Sequence, residues 1–134
     1  MPTAPGSVCR SDSGGRFDRI SAKFTLGDGK IVTYYAAVAM IIPRFNSANA
    51  TLTYSKEEDL VGTQGFTGLL GVTTVALTVG TSSSIAGELD EPIAPALTII
   101  GSGSWVLSPS DGDDADVSKC HCLAEYRYSF CIKQ

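Results

Sequence analysis

The stretch Leu60-Val61-Gly62-Thr63-Gln64-Gly65-Phe66-Thr67-Gly68-Leu69-Leu70-Gly71 decides how the rest of the chain is read. Its glycines fall at every third position, 62, 65, 68 and 71, among apolar and β-branched neighbours. In a helix each would cost roughly 1 kcal/mol relative to alanine. No proline accompanies them, which removes a collagen-like reading. What remains is a strand that bends sharply, or that lets another backbone or a ligand come close. Bends of this kind close a sheet into a barrel.

Composition agrees with that reading. The chain has 134 residues, enough for one domain with a proper core. Threonine, valine, isoleucine and serine are abundant, and there are 14 glycines but one tryptophan and one histidine. The net charge is −4 and the basic residues are scattered, which argues against a nucleic-acid binder and against an anionic membrane surface. The apolar runs at 31–42 and 69–79 are too short to span a bilayer, so no membrane insertion is expected. Asn49-Ala50-Thr51 fits the N-glycosylation acceptor pattern. Cys9, Cys120, Cys122 and Cys131 allow three full pairings. A Cys9–Cys131 bridge would tie both ends to the domain. Together these features are expected of a secreted protein whose signal sequence has been removed.

Along the chain, residues 1–15 read as an irregular N-terminal arm and 16–134 as a single β-barrel domain. A strand is expected from Arg16 to Thr25, with a hairpin turn at Gly27-Asp28-Gly29. Lys30–Ile42 reads as a long strand that is apolar on both faces, one for the lumen and one for a partner subunit. This makes a homo-oligomer, trimer or dimer, the expected state. Ala50–Ser55, Val72–Val79 and Ile85–Leu89 are further strands, and Asp90–Pro95 is a loop or an edge. Gly101-Ser102-Gly103-Ser104-Trp105 belongs to a second glycine-kinked strand. The last strand is expected at about Lys119–Ile132. Some eight strands in one small domain give an antiparallel barrel or a sandwich, and the glycine kinks favour the barrel.

The order of these motifs resembles a known family. Leu60-Val61-Gly62-Thr63-Gln64-Gly65-Phe66 is similar to the Val-Gly-x-x-Gln-Gly-Phe/Tyr strand of plant dirigent proteins. Ile99-Ile100-Gly101-Ser102-Gly103-Ser104-Trp105 resembles their Val-Gly-Gly-Thr-Gly-x-Phe/Tyr strand. Asp111-Gly112 and Ala124-Glu125-Tyr126 resemble the closing turn and last strand. The resemblance covers roughly residues 60–130. It implies an all-β fold, an eight-stranded antiparallel β-barrel of the dirigent/allene oxide cyclase type. It also implies homotrimers, no cofactor, and a bridge between Cys9 and Cys131. The family's His-Asp pair is replaced here by Ala36-Ala37, so the barrel and the dirigent chemistry need not travel together.

Candidate chemistry follows from the barrel. Cys120-His121-Cys122 looks like a metal clip, but alternate strand residues face opposite ways and a closed zinc site lacks ligands. Asp111–Asp116 has the rough phase of a calcium loop without its bidentate glutamate. No nucleophile elbow accompanies His121. No metal is therefore expected. A barrel of this size can hold one small ligand in its lumen. Tyr34, Tyr35, Tyr54, Phe66, Trp105 and Tyr128 are the candidate substrate-binding residues, with Glu88, Tyr126 and Arg127 as candidate catalytic groups. A carboxyl buried there would have a raised pKa and could move a proton. The expectation is a cofactor-independent isomerase or cyclase that folds a flexible, apolar small molecule for ring closure or coupling. The alternatives are a non-catalytic ligand-binding or stereochemistry-directing barrel, and a secreted structural or defence protein.

Overall fold

The alternation of apolar and polar residues resolves into strands and tight turns. The computed structural model describes residues 1–12 and 15–108. Among the described residues there is no α-helix, and none of the elements is a helix able to cross a membrane. Six antiparallel strands are present: β1 Thr3–Arg10, β2 Arg19–Thr25, β3 Ile31–Val38, β4 Asn46–Thr53, β5 Gly62–Val79 and β6 Ser83–Ser108. Their order is β3-β2-β1-β4-β6-β5, and β6 also pairs with β3, so the sheet runs round in a ring.

The ring is made possible by two very long strands. The first part of β6, Ser84–Glu88, pairs with β4, and its last part, Gly101–Ser108, pairs with β3. β5 follows β6 along both parts, Gly62–Leu70 against Leu97–Trp105 and Thr74–Val79 against Ser83–Glu88. Between them the register slips on both sides of Val72, opposite Ile93, and Gly71 takes φ +106°. This is the elbow at which the hairpin doubles back, and irregularities of this kind bend a strand. The two halves of β5 then meet. The Gly80 N–H donates to the Gly65 carbonyl at 2.9 Å, and Gly68 sits directly against the Ala76 carbonyl, where a Cβ would overlap it.

The sequence expectations are met unevenly. The glycine stretch and Val72–Val79 are one strand, as are Ile85–Leu89 and Leu97–Leu107. Asp90–Pro95 lies within β6, in the part paired on one side only, by β5. Prolines are tolerated at such an edge, and they blunt it against pairing with other chains. Residues 1–15 are not simply an irregular arm. Residues 3–10 form β1, which pairs with both β2 and β4. Pro5 within it and Pro2 just before it concealed the alternation of Ala4 and Val8. The third strand ends at Val38 rather than Ile42, with Met40 and Ile41 exposed. The expected last strand, 119–132, lies outside the described residues.

Alternate residues fill the interior. Val8, Ile20, Ala22, Phe24, Val32, Tyr34, Leu52, Leu70, Val75, Leu77, Ile85 and Ile99 belong to one buried cluster. Two inward hydroxyls, Ser47 and Ser83, have no hydrogen-bond partner among the described residues.

The glycines of the motif do different work. An added Cβ at Gly101 would overlap the Ala37 carbonyl oxygen, because β3 folds closely over β6 there. A Cβ at Gly65 would meet nothing nearer than the Gly101 carbonyl at 3.5 Å, an ordinary contact. Gly101→Ala is therefore expected to cost about 3 kcal/mol or more, and Gly65→Ala less than about 1 kcal/mol. Urea unfolding of the two variants measures the difference. Removing the unpaired Ser47 hydroxyl with Ser47→Ala should leave stability unchanged or raise it by about 1 kcal/mol.

Candidate functional site

β3 points its even-numbered residues inward, so Tyr34 lies inside the ring and Tyr35 outside it. Tyr34 is opposite Trp105 of β6, which is in turn opposite Gly62 of β5. The tryptophan and tyrosine rings close on one another across this register. Their centroids are 4.8 Å apart with planes tilted at 42°. Phe66, four residues beyond Gly62, presents its ring edge-on to Tyr34 at 6.3 Å and 88°. All three side chains are buried.

One residue holds this aromatic group in place. The Tyr34 hydroxyl donates to the Gln64 carbonyl at 2.6 Å. The Trp105 Nε1–H donates to Gln64 Oε1 at 3.2 Å. Gln64 Nε2 donates to the carbonyls of Asp59 at 2.7 Å and Val61 at 3.2 Å. Gln64 thus satisfies both buried polar aromatic groups and ties them to the entry of β5. Burial pushes the Tyr34 phenol up to about 12, with the Gly103 N–H opposing the shift only in part. Gln64 was visible in the sequence as a polar residue set between glycines in an apolar strand, yet nothing there assigned it a role.

The other candidates are dispersed. Glu88 is exposed on the outer face, beside Asn49 and Thr74 in register. This corrects the expectation of an acid in the lumen: Ile85 faces inward, and strict alternation then turns Ala86 and Glu88 outward. Tyr54 is buried just past β4 and donates its N–H to the Pro2 carbonyl at 3.1 Å, apart from the Tyr34 group. Cys9 is buried on β1. Tyr126, Arg127, Tyr128 and Cys131, together with the 120–122 and 111–116 motifs, lie outside the described residues. Among the described residues no three metal-ligating side chains come together.

Of the clefts on the outside of the described residues, two are lined by arginines. One, of about 360 Å³, lies between Arg44, Phe45 and Asn46 and the β6 elbow at Asp90–Ile93. Arg10, Asp12, Asn46 and Asp90 in it are engaged. Arg10 chelates Asp12 at 2.6 and 3.2 Å, donates to the Ile42 carbonyl at 2.9 Å and lies 4.7 Å over Phe17. Asp90 accepts from the Asn46 side chain and the Ala48 N–H, pinning the elbow to β4. The other, of about 480 Å³, is a trough across β2, β3, β6 and β5, lined by Tyr35, Ala37, Thr63, Ser102, Ser104, Arg16 and Arg19. Asp18 bridges the two arginines, at 3.4 Å from Arg16 and 2.9 Å from Arg19. Desolvation opposes its ionisation, but the Arg16 hydrogen bond and both positive charges outweigh that and hold its carboxyl below the usual range.

Comparisons with protein-family models, curated proteins and solved structures gave no match.

Tyr34 supplies a test of the interior. An unfolded tyrosine ionises near 10, and the folded one near 12. The unfolded state thus loses its proton first. Stability from this group is full below pH 10 and declines as pH rises through 12. Tyr34→Phe should abolish that part of the alkaline decline. It should also cost about 1–2 kcal/mol at neutral pH, since the Gln64 carbonyl loses its donor. Denaturation midpoints across the alkaline range measure both effects.

Proposed function

We propose that this protein is a non-catalytic binding barrel that engages its ligand on the outer surface. The observation that carries the reading is the interior. Among the described residues it is occupied by packed side chains, and its polar aromatic groups are already satisfied by Gln64. Glu88, the acid proposed from sequence, faces outward. A cyclase needs a chamber and an inward group able to move a proton. The trough and the elbow cleft, by contrast, are open to solvent. We read the ring as an eight-stranded barrel of the dirigent/allene oxide cyclase type. β5 and β6 each serve twice in it, which supports that count and accords with the motif order.

Trp105 is the sole tryptophan and lies in the packed interior, so its emission reports on that space. An apolar fluorescent probe such as anilinonaphthalene sulfonate is expected neither to brighten on saturable binding nor to quench Trp105. Saturable binding with quenching of Trp105 would place a ligand inside and restore the cyclase reading.

Self-association has its own supporting observation. The outer face of β4, β6 and β5 carries Asn49, Thr51 and Thr53, then Ser84, Ala86 and Glu88, then Thr74, Ala76 and Thr78 in three registered rows. A sheet face with a single charge suits an isologous contact between copies. Sedimentation is expected to show a dimer for the native chain and a monomer for Ala86→Lys.

A further inference from the structure

The trough on the outer face of β2, β3, β6 and β5 is a shaped recess rather than a flat sheet surface. Its central row runs Arg19, Ala37, Ser102, Gly65 across four neighbouring strands. The adjacent row runs Ser21, Tyr35, Ser104, Thr63. The small Ala37 side chain keeps the floor of the first row low, and Tyr35 stands beside it with its ring partly exposed. Hydroxyls line the recess: Ser102 and Ser104 on β6, and Thr63, whose Oγ1 lies 3.1 Å from Ser104 Oγ. At the β2 end stand two guanidinium groups sharing the single Asp18 carboxylate, which leaves one positive charge in excess.

We propose that this trough binds an acidic sugar, a pyranose bearing a carboxylate, and the proposal rests on the outer-surface reading above. Each part of the recess meets one part of such a ligand. The Tyr35 ring offers a flat apolar face to the C–H face of a sugar ring. Serine and threonine hydroxyls both donate and accept, which suits sugar hydroxyls. The guanidinium groups of Arg16 and Arg19 bind a carboxylate, Arg19 with a planar fork held by Asp18. With strands about 4.8 Å apart, Arg19 lies two strands from Ser102, roughly 10 Å, the span of one sugar ring and its carboxylate. A neutral sugar would leave the excess charge unmatched. A simple inorganic anion would leave the tyrosine and the hydroxyl floor unused.

The test is titration calorimetry of the full chain with a galacturonic acid trimer, its methyl ester and a neutral galactose trimer. The acid trimer is expected to bind saturably, and the ester and the neutral trimer about ten-fold more weakly. Arg19→Gln and Tyr35→Ala should each weaken the acid trimer by about ten-fold, with Trp105 emission and the thermal midpoint unchanged. A free oligosaccharide and a chain within a polymer present the same chemistry. Competition of the trimer against immobilised polygalacturonate separates them, and full competition identifies the short chain as sufficient. Equal binding of acid and ester, no binding of the acid trimer, or retention on the polymer without competition would each overturn the proposal. If the acid trimer fails while another ligand perturbs Tyr35 and Ser102 resonances, only the sugar assignment falls. If a ligand quenches Trp105 instead, the outer-surface reading falls with it.

Discussion

The ring depends on the close approach of β3 to β6 at Gly101 and Gly103, where the Ala37 and Tyr35 carbonyls occupy the places a Cβ would take. Strands can coil that tightly only where one partner carries no side chain. The coil brings the end of β6 onto β3 while its beginning stays on β4. Without it, β3 would be a free edge, with a row of unpaired N–H and C=O groups open to other chains. Everything inside the ring follows from this closure, because it decides which alternate residues face one another.

The interior group illustrates how a backbone constraint becomes side-chain chemistry. The register of β3 against β6 sets Tyr34 opposite Trp105, and their rings meet inside the sheet. Two aromatic residues with polar tips are then buried together, and each tip needs a partner. Gln64 provides both, with its main-chain carbonyl and its side-chain oxygen. A fully satisfied network of this kind rigidifies a core. It also occupies the space in which a substrate would have to sit, which moves the functional argument to the outer face.

On that outer face the charges are concentrated at particular places. Arg10, Asp12 and Arg44 cluster at the elbow end, and Arg16, Asp18 and Arg19 at the trough. The intervening strand faces are dominated by serine, threonine and alanine. Such surfaces carry little long-range field, so the few charged groups set direction and selectivity.

Much of the fold was legible from residue pattern. The glycines at 62–71 and 101–103 excluded helix, the Gly27-Asp28-Gly29 turn marked a hairpin, and Phe66 and Trp105, each following its glycines, were candidates for the interior that buries them. The strand at 3–10 was hidden because Pro5 and Gly6 obscure its alternation, and its pairing with β2 and β4 is non-local. Glu88 was misplaced for a related reason: a charged residue in an apolar strand looks like a buried acid until the register says which way it points. The sequence by itself determined the local conformations, since propensity and period act over a few residues. Only the tertiary structure decided which faces meet, that Gln64 holds Tyr34 and Trp105, and that Tyr35, Ser102 and Arg19 share a trough. Those choices depend on contacts between residues far apart in the chain, and no local pattern encodes the register that brings them together.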